Sequence, residues 1–290
     1  MDDTTNEIVQ TANEPPAELQ PATENQAADK PTEEPRYPGF VFGGALTEAK
    51  TVMSILNSIA DEIPVSLYAD KLEIRAVDHA HVAMITCELA ANDIVSMDTV
   101  VGDAGKNAYG FDVEKISDAL KAFRGSDNVI FSLDKHNGRV PNLVIQSGRI
   151  VREIATIDSS NFSDIKVPNF VLPASVTVNA KELYQALQSL AEIEDHVSIT
   201  ITGQRTLEIA AKNDNDSAKA LWDENELKSW NGQTDCNFRS MFPLDYLRTT
   251  LKVIGDVDIQ LEVGINYPLR ASFAIGHWHF TYLLAPRVES

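Results

Sequence analysis

Two histidine pairs are the first candidates for chemistry. Asp78-His79-Ala80-His81 and His277-Trp278-His279 each set two imidazoles at i, i+2. Residues two apart on a strand share a face, so either pair could begin a divalent-metal site. A closed site needs three or four ligands, and no further ligand cluster accompanies either pair. Both read as histidines on a turn or strand surface. The stretch GDAGKN (102–107) has the look of a phosphate loop, but the first glycine is missing at the required spacing and Asn107 replaces Ser or Thr. It reads as a surface turn. No GxSxG or comparable nucleophile motif occurs, and the abundant carboxylates form no recognisable acid–base pair. No catalytic residue, metal site or cofactor is expected; a metal-dependent enzyme built on the histidines is the weaker alternative.

The scarce cations carry more. The chain holds 24 Lys and Arg against 43 Asp and Glu, a net charge of −19 over 290 residues. That balance argues against a protein that grips nucleic acid over its whole surface, because phosphate contacts need Lys and Arg. It fits a strongly solvated exterior. Apolar spacing at i, i+3, i+4 predicts helices over 46–62, 112–124, 179–193 and 243–254. Asp112 and Asn179 are the expected N-caps of two of them. Lys50, Lys115, Lys121, Arg124, Lys181, Arg248 and Lys252 recur on these four segments, on faces opposite the apolar stripe. Glu114, Asp118, Glu182 and Asp245 share the helices, so the patch is weak, and ordinary solvated helix faces are the competing reading.

The elements repeat. VSLYADKLEIRAVD (65–78) parallels VSITITGQRTLEIAAKN (197–213), and YGFDVEKISDALKAF (109–123) parallels SMFPLDYLRTTLKVI (240–254), at an offset of 131 or 132 residues. Each copy reads strand, helix, several strands, helix, several strands, an α+β pattern with period-two alternation between the helices. The boundaries expected are a tail at 1–38, one copy at 39–157, a connector at 158–173 and a second copy at 174–290. The first 36 residues contain nine Asp or Glu against Lys30 and Arg36, five prolines and no aromatic residue. Such a segment buries too little apolar area to offset its ordering entropy, so a disordered acidic tail is expected. The connector DSSNFSDIKVPNFVLP is polar yet carries Ile165, Val167, Phe170 and Leu172. Cys87 and Cys236 lie in no CxxC or Cys/His cluster and are expected to be reduced thiols in an intracellular protein. No apolar run reaches the ~20 residues of a membrane span, no signal peptide is visible, and no membrane association is expected.

Five stretches, in order, carry a family resemblance: LEIRAVDHAHVAM (72–84), YGFDVEKISDALK (109–121), IDSSNFSDIKVPNF (157–170), FPLDYLRTTLK (242–252) and YLLAPRVES (282–290). Together they resemble proliferating cell nuclear antigen (PCNA), the DNA sliding clamp, in its archaeal form, from about Phe40 to Ser290. The resemblance implies two clamp domains of like topology, with helices lining a ring and antiparallel sheets outside. It implies a trimer closed head to tail, through the strand that holds Arg149, Val151, Glu153 and Ala155 in one copy and the strand that holds Ala218, Ala220 and Trp222 in the next. The seven cations above would face encircled duplex DNA without reading its sequence. Partners implied are a clamp loader, DNA polymerase, flap endonuclease and DNA ligase. These clients would dock PIP-box peptides on Val77, His81, Val82, Ile165, Val167, Pro268, Leu283, Ala285, Pro286 and Val288. An aromatic residue is often found where Leu283 stands. The implied role is processivity in replication and repair, in a cytoplasmic, nucleoid-associated protein that is not an enzyme. A docking or checkpoint-type clamp scaffold with little polymerase role is the alternative.

Overall fold

A computed structural model describes residues 40–97, 107–124, 128–133 and 141–287. The acidic tail, most of GDAGKN and Val288 lie outside them. The first half runs β1 (Phe40–Ala45), α1 (Leu46–Asn57), β2 (Glu62–Leu67), β3 (Lys71–Val77), β4 (Ala83–Ala90), β5 (Ser96–Met97), β6 (Asn107–Asp112), α2 (Val113–Lys121), β7 (Asn128–Leu133), β8 (Asn142–Ser147) and β9 (Ile150–Ala155). The second half runs β10 (Ala174–Asn179), α3 (Ala180–Leu190), β11 (His196–Thr202), β12 (Thr206–Lys212), β13 (Ser217–Trp222), β14 (Ser229–Asn231), β15 (Asn237–Pro243), α4 (Leu244–Ile254), β16 (Asp258–Val263), β17 (Leu269–Ile275) and β18 (Trp278–Leu284). Both halves follow one order: strand, helix, five strands, helix, three strands.

The strands form three antiparallel sheets among the described residues. Their orders are β5-β1-β7-β8-β9, β14-β10-β16-β17-β18-β4-β3-β2-β6 and β13-β12-β11-β15. The central sheet joins the halves, because β18 lies between β17 and β4, in register from Trp278 opposite Leu89 to Leu284 opposite Ala83. Alternation sets which face is buried: along β17, Leu269, Ala271, Phe273 and Ile275 turn inward and the residues between them do not. An aromatic contact also crosses the halves. The Phe42 ring stacks on Phe131 at 4.8 Å and meets Trp278 edge-on at 5.5 Å.

The four helices lie side by side in the order α2-α1-α4-α3, since α1 packs on α2 and α4, and α3 on α4. Each buries one stripe against the sheets: Leu183, Leu187 and Leu190 on α3, and Leu244, Leu247, Leu251 and Ile254 on α4. Two caps stand where the sequence puts them. Asp112 accepts from the Lys115 amide, and Asn179 from those of Lys181 and Glu182.

Three helices end earlier than the apolar spacing predicts. The first stops at Asn57, not 62. There Ser58 and Ile59 already bond three residues back, and β2 begins at Glu62, with Ile63 and Val65 buried in the sheet. The others stop at Lys121 and Leu190, where Ala122, Phe123 and Ile193 switch to bonds three residues back, tightening the final turn.

Candidate functional site

Strand registers bring several of the residues expected to form the client pocket to one end of the central sheet. On β3, Leu72, Ile74 and Ala76 face the core, so Arg75 and Val77 take the other face. Val77 pairs with Met84, Met84 with Leu283, Leu283 with Arg270, and Arg270 with Glu262. Leu283 is the floor of this row at 6% exposure. Beyond the strand ends, the Ala285 amide donates to the Val82 carbonyl at 2.9 Å. Pro268 sits beside the Leu269–Leu284 pair, and Pro286 is half-buried. The Arg287 amide then bonds to Met241, carrying the chain onto the β15 edge.

The connector crosses this outer face on two arginines that the sequence reading did not select. Arg75 Nη1 donates to the Ile165 carbonyl at 3.1 Å. Arg270 Nη2 donates to the Phe170 carbonyl at 2.7 Å, and its guanidinium lies 4.8 Å from the Phe170 ring centre. Ile165 is thereby half-buried, whereas Val167 keeps 39% exposure. At the connector's start, a Cβ on Gly110 would fall 2.3 Å from the Phe162 ring, so only glycine admits so close a crossing. A cavity of about 500 Å³ remains under Ser159–Ile165, walled by Pro64, Ser66, Phe162 and the charged pair Glu73 and Arg75.

Glu73 is the centre of a charged cluster on that face. It is 2% exposed, with Lys71 Nζ and Arg75 Nε each 2.7 Å away, and Lys71 also reaches Glu88 at 2.5 Å. The Arg75 Nε contact is an ion pair without hydrogen-bond geometry. Burial raises the Glu73 pKa, but the bond to Lys71 and the positive charges of Arg75 and Lys71 outweigh it and hold the carboxyl below its usual range. Charged residues at alternate positions within the apolar run LEIRAV were the available signal.

Beside the cluster, the turn 78–83 carries His81 and Val82. His81 is exposed and has φ +56°. The Asp78 carboxylate accepts from the amides of Ala80, Val82 and Ala83 and from the Tyr246 hydroxyl. One histidine of each pair contacts a carboxylate. His277 Nδ1 is 2.9 Å from Asp93, and its amide donates to Glu48. His79 is 3.8 Å from Asp61. Among the described residues, no three His, Cys, Asp or Glu side chains are grouped to hold a metal. Cys87 is fully buried, and burial pushes its thiol pKa well up, leaving it a packing residue.

The cations gather on the helix layer. Lys50 reaches the Phe123 carbonyl at 3.5 Å. Lys115, Lys121 and Arg248 pair with Asp112, Asp118 and Asp245 on their own helices or caps. Arg124, Lys181 and Lys252 are exposed. The helices carry six cations and five carboxylates, which leaves them near neutral in a chain of net −19.

Six strands end the three sheets among the described residues, and β9 and β13 are two of them. β9 pairs only with β8, and β13 only with β12, among the described strands. Arg149, Val151, Glu153 and Ala155 are exposed on and beside β9, as is Ile150 at 48%. On β13, Ala218 and Ala220 turn inward and Trp222 is buried, so Leu221, 52% exposed, is the apolar side chain facing out.

No family model matches the chain. The DNA polymerase sliding clamp of Methanothrix thermoacetophila is 30% identical to it over 252 residues, covering 84% of this chain and 98% of the relative. The chain belongs to the DNA polymerase sliding clamp family. The clamp of Archaeoglobus fulgidus is likewise 30% identical over 247 residues, with 83% and 95% covered. Among solved structures, A. fulgidus PCNA bound to the C-terminal region of FEN-1 matches at TM-score 0.74 and 28% identity, over 88% of this chain and all of that one. The protein is thus a processivity factor, a sliding clamp that tethers partners, and not an enzyme. Its fold is the clamp fold, α+β with helices on one side and antiparallel sheets on the other. Among the described residues, no helix is long and apolar enough to cross a membrane.

Proposed function

We propose that three copies of this clamp close head to tail into a ring around duplex DNA. The observation that carries this reading is the pair of open edges: β9 ends the sheet of the first half and β13 ends that of the second, each with apolar side chains in solvent. A heterologous contact of β9 on one copy with β13 on the next repeats until the rotation closes. It removes both bare edges, which otherwise invite aggregation. The partner meets Ile150, Val151 and Leu221 as side chains, and Trp222 mainly as backbone. Residues 39–157 and 174–290 act as two clamp domains joined by the connector 158–173, giving a six-domain ring with twelve helices inside.

The near-neutral helix layer suits a ring that slides. Encirclement retains DNA by topology, so contacts from Lys50, Lys115, Lys121, Arg124, Lys181, Arg248 and Lys252 can stay weak, and the acidic exterior repels DNA. The ring then keeps a replicative polymerase at high effective concentration on DNA. A clamp loader opens it. Flap endonuclease and ligase dock through PIP-box peptides on the sheet end at Val77, Val82, Ile165 and Ala285, as a one-turn helix in an apolar pocket. The site of action is the nucleoid, in the cytoplasm.

Two measurements test this. Sedimentation should give three times the chain mass at micromolar concentration, and ring loaded on nicked circular DNA should fall off when the circle is cut. A monomer, or equal retention on linear and circular DNA, refutes the ring.

A further inference from the structure

The Asp78 carboxylate has about four acceptor positions, and four donors fill them. Oδ1 takes the amides of Val82 and Ala83, both at 2.7 Å; Oδ2 takes the Ala80 amide at 3.0 Å and the Tyr246 hydroxyl at 2.8 Å. Three of these donors belong to the turn itself. The fourth comes from α4, 168 residues further along the chain. The turn needs an outside reference, because His81 within it holds a left-handed backbone that side chains disfavour. Its own closing bonds, His81 to the Asp78 carbonyl and Asp78 to the Ala83 carbonyl, fix its shape but not its direction. Through Val82, the turn also holds Ala285.

We propose that Tyr246 is a positioning residue for client docking, which aims the turn 78–83 by bonding Asp78 from the DNA-side helix α4. The proposal rests on the reading that client peptides dock beside this turn. The tyrosine touches no client. It acts through Asp78, and Asp78 acts through the placement of His81, Val82 and Ala285. The ionisation pattern agrees with the geometry. Partial burial raises the Asp78 pKa, but the amides and Tyr246 outweigh it and keep the carboxylate charged. The bond to Asp78 in turn raises the Tyr246 pKa, so the phenol stays a donor.

The test uses the full chain and a fluorescent peptide of the C-terminal region of A. fulgidus FEN-1. Tyr246→Phe removes one hydroxyl, and peptide affinity should fall about threefold to tenfold while assembly mass stays unchanged. Asp78→Ala removes the acceptor altogether and should fall at least as far, and the double variant should bind no worse than Asp78→Ala alone, since the tyrosine acts only through that carboxylate. In wild type, the amides of Val82 and Ala83 should exchange slowly with solvent, and Tyr246→Phe should speed them. Unchanged affinity in Tyr246→Phe, or a loss that adds to that of Asp78→Ala, overturns the proposal. If wild type fails to bind the peptide, the docking reading fails. The exchange rates then still decide whether Tyr246 positions the turn: unchanged rates reject that role.

Discussion

Glu73→Ala is the sharpest test of how the outer face holds together. Glu73 is 2% exposed, and its two cationic partners, Lys71 and Arg75, are 27% and 29% exposed. Removing one member of a fully buried ion pair costs about 3–5 kcal/mol. Here the cations keep solvent, Lys71 retains Glu88, and Arg75 retains the Ile165 carbonyl. The expected loss is therefore nearer 2 kcal/mol at pH 7. For a chain of this size that lowers Tm by about 4–8 °C. Calorimetry or urea unfolding measures it, at one protein concentration, since assembly adds stability by mass action. The sign with pH is fixed by the depressed Glu73 pKa. Its contribution is complete above the ordinary value of 4.5 and is lost as pH falls through the lower folded value. The gap between wild type and variant should thus be widest near neutrality and close on acidification below about pH 4.5. A gap under about 0.5 kcal/mol at pH 7, or one that widens in acid, would show that the cluster is a solvated surface group and refute the reasoning.

Two further outcomes follow from the same geometry. Ile165→Asp or Ala285→Asp should reduce binding of the FEN-1 peptide at least tenfold with the trimer mass intact, by fluorescence anisotropy and sedimentation; loss of the trimer would mean that the pocket is misplaced. Asn179→Ala removes the acceptor for two amides at the start of α3 and should cost about 1 kcal/mol in urea unfolding, whereas Asn179→Asp should cost far less.

Local rules made much of the fold legible. The helices, the caps Asp112 and Asn179, and the hairpins 65–78 and 197–213 all leave a periodic trace in adjacent residues. The duplicated element order was visible for the same reason. Where the first helix stops was not legible, because the apolar spacing continues through Ile59 and Ile63 into β2. The seam between the halves was not legible, because β4 and β18 lie nearly two hundred residues apart and strand pairing writes no periodicity across such a gap. The connector shows the same limit. Ile165 and Val167 stood out as apolar residues in a polar run, but their holders, Arg75 and Arg270, look in sequence like any outward strand residue. Trp222 shows it from the other side: a strand can be an open edge while its largest side chain is in the core.

The position of β18 bears on the order in which the molecule can be made. It is the last strand among the described residues, yet it fills the middle of the nine-stranded sheet. While the chain is being synthesised, β4 keeps a bare edge of seven residues, Ala83 to Leu89, until Trp278–Leu284 has left the ribosome. The first half can form its hairpins early, but it cannot close. During that interval its open strand is a template for another chain's strand, and the hazard lasts as long as translation of the second half. A break in synthesis anywhere before Trp278 therefore leaves β4 with an exposed edge, not a smaller clamp.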